Sequence, residues 1–349
     1  MKKSDKNWAI LQRSSELFVR LLVAGLFSVS LAAAEESSAP FLGSWAFELP
    51  DGNPAWLKIS EGEDGPAGHL LWSVGSARPV TKLEVTGGAA IRFSRKLKWK
   101  PGGKAHDVWS VEKPIEGTLK GPEKLELRVV QHPDGKPDAE QTFTLIGTKM
   151  PPMPPRPNLD EVEFGDPLSL FNGEDLTGWK LSNPEKKNGW RAENGVLINE
   201  TPKTDFSAYG DYGNLVTEAV FEDFRLTLEY NVPDGGNSGV YLRGMYEAQV
   251  VDRDSRMQGI SGPGAIFGRI EPSENAAKPG GEWNRYVLTL VDRHVTVELN
   301  GAVVIDNEPL EGCTGGGISA DDTKPGPIFL QGDHTAVKYR EIVIEEVVK

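Results

Sequence analysis

HVTVELNGAVVID, residues 294–306, alternates Val295, Val297 and Leu299 with His294, Thr296 and Glu298 before reaching Asn300-Gly301. A period of two belongs to a half-buried strand, and Asn-Gly supplies the two positive φ angles of a tight hairpin turn. The passage is therefore predicted to be a β-hairpin. WRAENGVLIN, residues 190–199, repeats the device at Asn194-Gly195. Strand-like runs continue on both sides in FRLTLEYNV (224–232), GVYLR (239–243), YEAQVV (246–251), YVLTLV (286–291), PIFLQ (327–331) and REIVIEEV (340–347). None of this half sustains an apolar 3.6-residue period over ten positions, so helices are expected to be short at most. About ten strands are too many for one flat sheet and suit a two-layer jelly-roll sandwich.

Upstream, MPPMPPRPN (150–158) places five prolines in nine residues, which neither a ladder nor a helix interior tolerates. A stiff linker over 150–160 is expected there, parting two separable domains. Before it, WAFEL, WLKIS, HLLWSV, RPVTKLEV, AIRFS, DVWSV, KLELRVV and QTFTLIG read as short strands punctuated by Gly and Pro. Residues 35–149 are thus predicted to form a small antiparallel β-barrel or sandwich, with Trp45, Trp56, Trp72 and Trp109 in its own core. Phe41-Leu-Gly-Ser-Trp45 resembles the G-x-W opening of a lipocalin-type barrel. The fold class is all-β, with the jelly roll occupying 161–349.

Residues 1–34 carry Lys2, Lys3, Lys6, Arg13 and Arg20, then LLVAGLFSVSLAAA, ending on three alanines before Glu35. That pattern predicts a secretory signal peptide cleaved near Glu35 and a periplasmic or secreted protein. The apolar run falls short of the roughly 20 residues that span a bilayer, so no integral membrane segment is expected after cleavage. Cys313 is the only cysteine, which leaves no intrachain disulfide. The net charge of −13 opposes phosphate-backbone binding, and nucleic acid is not an expected partner.

Polar side chains concentrate in Asp234-Gly-Gly-Asn237-Ser-Gly-Val-Tyr241-Leu-Arg243-Gly-Met-Tyr246-Glu247-Ala-Gln249-Val-Val-Asp252. In unbroken strands Tyr241 and Arg243 share a face, as do Glu247 and Gln249, with like-facing neighbours roughly 6.5 Å apart. A surface strand alternates in the same way. Three features point instead to a ligand: a Gly-rich backbone that permits close approach, an Arg able to anchor an oxygen-rich planar group, and a carboxylate–carboxamide pair suited to sugar hydroxyls.

LFNGEDLTGW (170–179), residues 213–252, GEWNRYVLTL (281–290), VTVELNGAVVIDN (295–307) and PGPIFLQGDHTAVKYREIVI (325–344) together resemble the 3-keto-disaccharide hydrolase family across 167–348. The resemblance implies a concanavalin A-like jelly roll and action on glycosides already oxidised to a ketone at sugar carbon 3, with an oligosaccharide or glycoside as partner. An ordinary glycosidase needs two carboxyls about 5 to 9.5 Å apart. Here Gln249 stands where a second acid would face Glu247, and Asp252 would lie about 16 Å along the strand.

A 3-keto sugar needs only one base, because the ketone acidifies the carbon-2 proton and elimination can expel the aglycone from carbon 1 before water adds. In that chemistry Glu247 is the base or a metal ligand, Arg243 and Gln249 are substrate clamps, Asn237 is a polar contact, and Tyr241 and Gln331 bind substrate. His334, in QGDHT, is the proton donor to the leaving oxygen, or else a turn cap. A divalent ion, were one bound, would take oxygen ligands from Asp252 and Asp333. The competing functions are a non-catalytic, lectin-like carbohydrate-binding module and a structural domain of a surface assembly.

Overall fold

A computed structural model describes residues 37–100, 108–202 and 211–348. The expected signal peptide lies outside these residues. Among the described residues no helix is long and apolar enough to cross a membrane.

The first eleven strands are β1 (Gly43–Glu48), β2 (Pro54–Gly62), β3 (Gly65–Trp72), β4 (Val74–Pro79), β5 (Thr81–Thr86), β6 (Ala90–Ser94), β7 (Leu97–Trp99), β8 (Trp109–Val111), β9 (Ile115–Leu119), β10 (Lys124–Pro133) and β11 (Gln141–Lys149). They pair antiparallel in the order β4-β3-β2-β1-β11-β10-β9-β6-β5, with β7 and β8 attached beside β10. RPVTKLEV, expected as one strand, divides at Val80, where the chain passes from β4 at one end of the order to β5 at the other. The Val80 amide donates to the Gly68 carbonyl at 2.9 Å, so the sheet curls its two edges together into a barrel.

The barrel core collects Trp45, Trp72 and Trp99 with Phe41, Phe93, Leu57, Leu70 and Leu127. Trp56 departs from the expectation. Leu57 turns into the barrel, and strand alternation sends Trp56 out of it. There it joins Ala46, Leu71 and Met150 in the apolar cluster of the following sandwich. The Arg269 guanidinium lies 4.3 Å from its ring centroid.

The sandwich strands are β12 (Leu168–Ser169), β13 (Trp179–Leu181), β14 (Trp190–Glu193), β15 (Val196–Asn199), β16 (Leu215–Thr217), β17 (Phe224–Asn231), β18 (Asn237–Leu242), β19 (Tyr246–Val251), β20 (Asn284–Val291), β21 (His294–Leu299), β22 (Ala302–Pro309), β23 (Phe329–Leu330) and β24 (Val337–Glu346). One sheet runs β14-β15-β24-β17-β20-β21-β22, with β12 beside β24, and the other β13-β16-β23-β18-β19. Asn194, Gly195, Asn300 and Gly301 all take positive φ, as the two hairpin turns require. Leu226, Leu228, Leu288 and Val297 of the larger sheet meet Val240, Leu242, Ala248 and Leu330 of the smaller one in a single core.

Among the described residues no ladder joins barrel to sandwich. The proline-rich segment between them forms no strand and is fastened to the sandwich. Arg293 donates to the Pro151 and Pro152 carbonyls, Arg156 to the Asp306 and Asn307 carbonyls, and Asn307 Nδ2 to the Pro157 carbonyl at 2.9 Å. Arg293 is itself fixed by a buried ion pair with Asp322 at 2.9 Å. Because Trp56 fills space inside the sandwich's own cluster, Trp56→Ala should lower the stability of the full chain by about 3 to 5 kcal/mol in urea unfolding. A loss below about 1 kcal/mol would mean that the seam contributes little packing.

Candidate active site

The five-stranded sheet presents its second face away from the sandwich core, and β18, β19 and β23 build the site there. Tyr241 stands directly opposite Glu247 in the β18–β19 ladder and opposite Phe329 of β23. Tyr241 and Phe329 stack with centroids 4.3 Å apart. In the next rung Gly239 lies opposite Gln249, and the Gln331 amide donates to the Gly239 carbonyl at 2.9 Å. The middle position of this rung therefore has no side chain, and the Glu247 carboxyl occupies the vacant space. A Cβ at residue 239 would lie 2.4 Å from Glu247 Oε1. Glycine is required here by contact rather than by φ.

Glu247 is only 4% exposed. Burial pushes its carboxyl up to about 8, a hydrogen bond from the Tyr241 hydroxyl works against that rise, and the negative charge of Asp333 adds to it. The neutral acid thus predominates at pH 7. Gln331 Nε2 donates to the Tyr241 oxygen at 3.3 Å. Gln249 Nε2 reaches Asn237 Oδ1 at 3.4 Å and the Ser261 carbonyl at 3.3 Å. The carboxamide oxygens of Gln249 and Gln331 are buried with no hydrogen-bond partner among the described residues. Two unsatisfied buried acceptors flanking one raised carboxyl form a locally unfavourable arrangement of the kind found at functional sites.

Asp333 and His334 join the cluster from the loop after β23. His334 Nδ1 is 2.6 Å from Asp333 Oδ1, so Asp333 fixes the ring and Nε2 becomes the nitrogen suited to exchanging a proton. The loop is itself anchored. Asn199 Nδ2 and Thr201 Oγ1 donate to the Gly332 carbonyl, and the Gly332 amide donates to Asn214 Oδ1. Thr335 Oγ1 accepts from the Asn237 amide at 2.9 Å. These supporting residues carried no signal in the sequence, since they act through backbone groups that no spacing reveals.

Of the sequence-predicted residues, the structure assembles Glu247, Tyr241, Gln249, Gln331, Asn237, Asp333 and His334. It does not bring Arg243 or Asp252 among them. Strand alternation ends at Leu242, and Arg243 sits in the β18–β19 turn with φ 55°. Its guanidinium donates to the Asp322 and Lys324 carbonyls, which makes it a clamp on that loop. Asp252 follows the end of β19 and accepts from the Gly235 and Gly280 amides at 2.8 and 3.0 Å. Asp252 and Asp333 are thus held by different partners, and among the described residues no three His, Cys, Asp or Glu side chains gather as a metal site. The Cys313 thiol, buried, is pushed up to about 12 and is a packing group.

An antiparallel jelly-roll sandwich with one buried carboxyl among carboxamides defines the class of the C-terminal region. The chain belongs to the 3-keto-alpha-glucoside-1,2-lyase-like domain family, whose profile matches residues 166–345. A 3-keto-disaccharide hydrolase from Bacteroides thetaiotaomicron is 26% identical over 145 residues, covering 34% of this chain and 50% of that protein. The chain therefore spans about half the length of the curated relative it matches. Two candidate glycosyl hydrolases of known structure from Parabacteroides distasonis ATCC 8503 are also similar. One is 22% identical, covering 52% of this chain and 94% of that chain with a TM-score of 0.43. The other is 28% identical, covering 56% and 93% with a TM-score of 0.42.

Between pH 4.5 and 8 the folded protein holds a proton on Glu247 that the unfolded chain has released, so this residue lowers stability as pH rises through that window. Glu247→Gln has no such titration. Its advantage over wild type in denaturant unfolding should grow from pH 4.5 to 8 and then level off, reaching at most about 5 kcal/mol. Parallel stability–pH curves for the two proteins would show that Glu247 titrates normally.

Proposed function

We propose that the protein cleaves 3-keto-glycosides, 3-keto-α-glucosides foremost, by elimination across sugar carbons 1 and 2 followed by hydration. The observation that carries this reading is the Glu247 carboxyl, buried, raised to about 8, facing Tyr241 across the ladder and followed on the same face of its own strand by Gln249 rather than by a second acid. A general base works best with a pKa near the working pH, and the acidified carbon-2 proton of a 3-keto sugar is the kind of proton such a base can take. The family description, a 1,2-lyase of 3-keto-alpha-glucosides, supports the elimination step. The name of the Bacteroides relative supports net hydrolysis.

In the proposed sequence Glu247, as carboxylate, removes the carbon-2 proton, and the electron pair moves into the carbon-2–carbon-3 bond to give an enediolate at the ketone oxygen. In this reading the side-chain donors of Gln331 and Gln249, with the Tyr241 hydroxyl, stabilise that oxygen. Collapse of the enediolate breaks the carbon-1–oxygen bond. His334, oriented by Asp333, protonates the leaving oxygen. The unsaturated 3-keto sugar then takes up water, with its hydroxide at carbon 1 and its proton at carbon 2, releasing the free 3-keto sugar. Asn237 and Gln249 would read sugar hydroxyls.

Purified protein should release aglycone from a 3-keto-glucoside and leave the unoxidised parent intact. Its kcat/KM should rise with pH as Glu247 ionises and level off above about 8. Glu247→Gln should reduce turnover by about 10² to 10⁴-fold with little change in binding. His334→Ala should slow alcohol aglycones more than 4-nitrophenol, which needs a proton less. Equal cleavage of the parent glycoside would sink the elimination mechanism, and sugar binding without turnover would favour the lectin-like alternative.

A further inference from the structure

The Tyr241 hydroxyl has one hydrogen and two acceptors, the Glu247 carboxyl and the Gly315 carbonyl at 3.1 Å. Gly315 belongs to a glycine run, Gly315–Gly317, that the sandwich presents to the barrel. The Gly316 amide donates to the Ser73 carbonyl at 3.0 Å. A Cβ on Gly315 would lie 2.2 Å from the Gly75 carbonyl oxygen and 2.3 Å from the Gly75 nitrogen. The contact is therefore backbone against backbone. On the barrel side the turn is shaped by positive φ at Ser73 and Gly75, 62° and 76°. Thr314 ties the same loop to the strand of the site, its Oγ1 accepting from the Glu247 amide at 3.0 Å and donating to the Met245 carbonyl at 2.9 Å.

We propose that the barrel is a working part of the site: its β3–β4 turn holds the Thr314–Gly317 loop so that the Gly315 carbonyl competes with Glu247 for the Tyr241 hydrogen. While Glu247 is a neutral acid, Tyr241 can donate to Gly315. When Glu247 ionises, the hydrogen must turn to the carboxylate and leave the carbonyl. Holding the carbonyl in place thus opposes ionisation, and Ser73 and Gly75 are positioning residues for the base. The family profile begins at residue 166, so it includes neither barrel residue. The other titratable groups facing Glu247 are Asp333 with its partner His334 from the loop after β23, and Tyr286 and Tyr339 from the sheet beneath.

The catalytic consequence rests on Glu247 being the base, whereas the coupling itself can be measured without substrate. The full-length chain, labelled with carbon-13 at the glutamate carboxyls, is titrated by NMR, and the Glu247 signal is assigned by its absence in Glu247→Gln. Gly315→Ala, which cannot sit against Gly75, should lower the Glu247 midpoint by about one pH unit, a tenfold rise in acid dissociation constant. Tyr241→Phe should raise the midpoint, and Tyr241→Phe/Gly315→Ala should titrate as Tyr241→Phe alone. A folded Gly315→Ala with an unmoved midpoint, or the same downward shift in the Tyr241→Phe background, would overturn the proposal. Gly75→Ala, strained at φ 76° on the barrel side, is read by the same criteria and decides the matter if Gly315→Ala does not fold. Wild type inactive on 3-keto-glucosides would remove the proposed reaction and leave the titration result standing.

Discussion

A carboxyl taken out of water favours its neutral form unless a charge or donor compensates, and the site is organised around that constraint at Glu247. Gly239 leaves room for the group, Phe329 and Tyr241 close one side, and the Thr314–Gly317 loop covers it from the barrel. Among the described residues the Tyr241 hydroxyl is the donor that opposes the rise caused by burial, and it is shared. A residue kept for stability alone would not be a glutamate in this place. On the proposed reading the instability is useful, since a base poised near neutrality is what proton abstraction beside a ketone requires.

Around that point the molecule is conventional. Two sheets share one apolar core, and the smaller sheet turns its second face to the site because alternation sends Glu247, Gln249, Tyr241 and Gln331 one way and Tyr246, Ala248, Val240 and Leu330 the other. The barrel has a core of its own, yet it commits Trp56 to the sandwich and lays its β3–β4 turn on the glycine loop. The proline-rich segment, fastened by Arg293 and Arg156, fixes where the barrel leaves the sandwich.

The strand pattern was legible because period two and Asn-Gly turns are local properties, and the pairing of Glu247 with Gln249 followed from the same parity. Arg243 was misplaced for a related reason. Parity holds only while the strand continues, and nothing in VYLRGMYE marks Leu242 as its last residue except the glycine that follows Arg243. Trp56 was assigned to the barrel core because a strand covered on both faces does not reveal which face meets which neighbour. The contact of the glycine run at 315–317 with Gly75 depends on backbone shape that sequence does not display. Asn199, Thr201 and Asn214 hold the Gly332 backbone and lie far from it in sequence.

The central claim is that Glu247 removes a proton from sugar carbon 2, and it can be tested apart from bond cleavage. A 3-keto sugar lacking any leaving group at carbon 1, incubated with the protein in deuterium oxide, can undergo proton abstraction but not elimination. The account predicts that wild type exchanges the carbon-2 hydrogen for deuterium, read by loss of its proton NMR signal, and that Glu247→Gln does so about 10² to 10⁴-fold more slowly. Exchange at the same rate by both proteins, or none by a wild type that cleaves the corresponding 3-keto-glucoside, would contradict it.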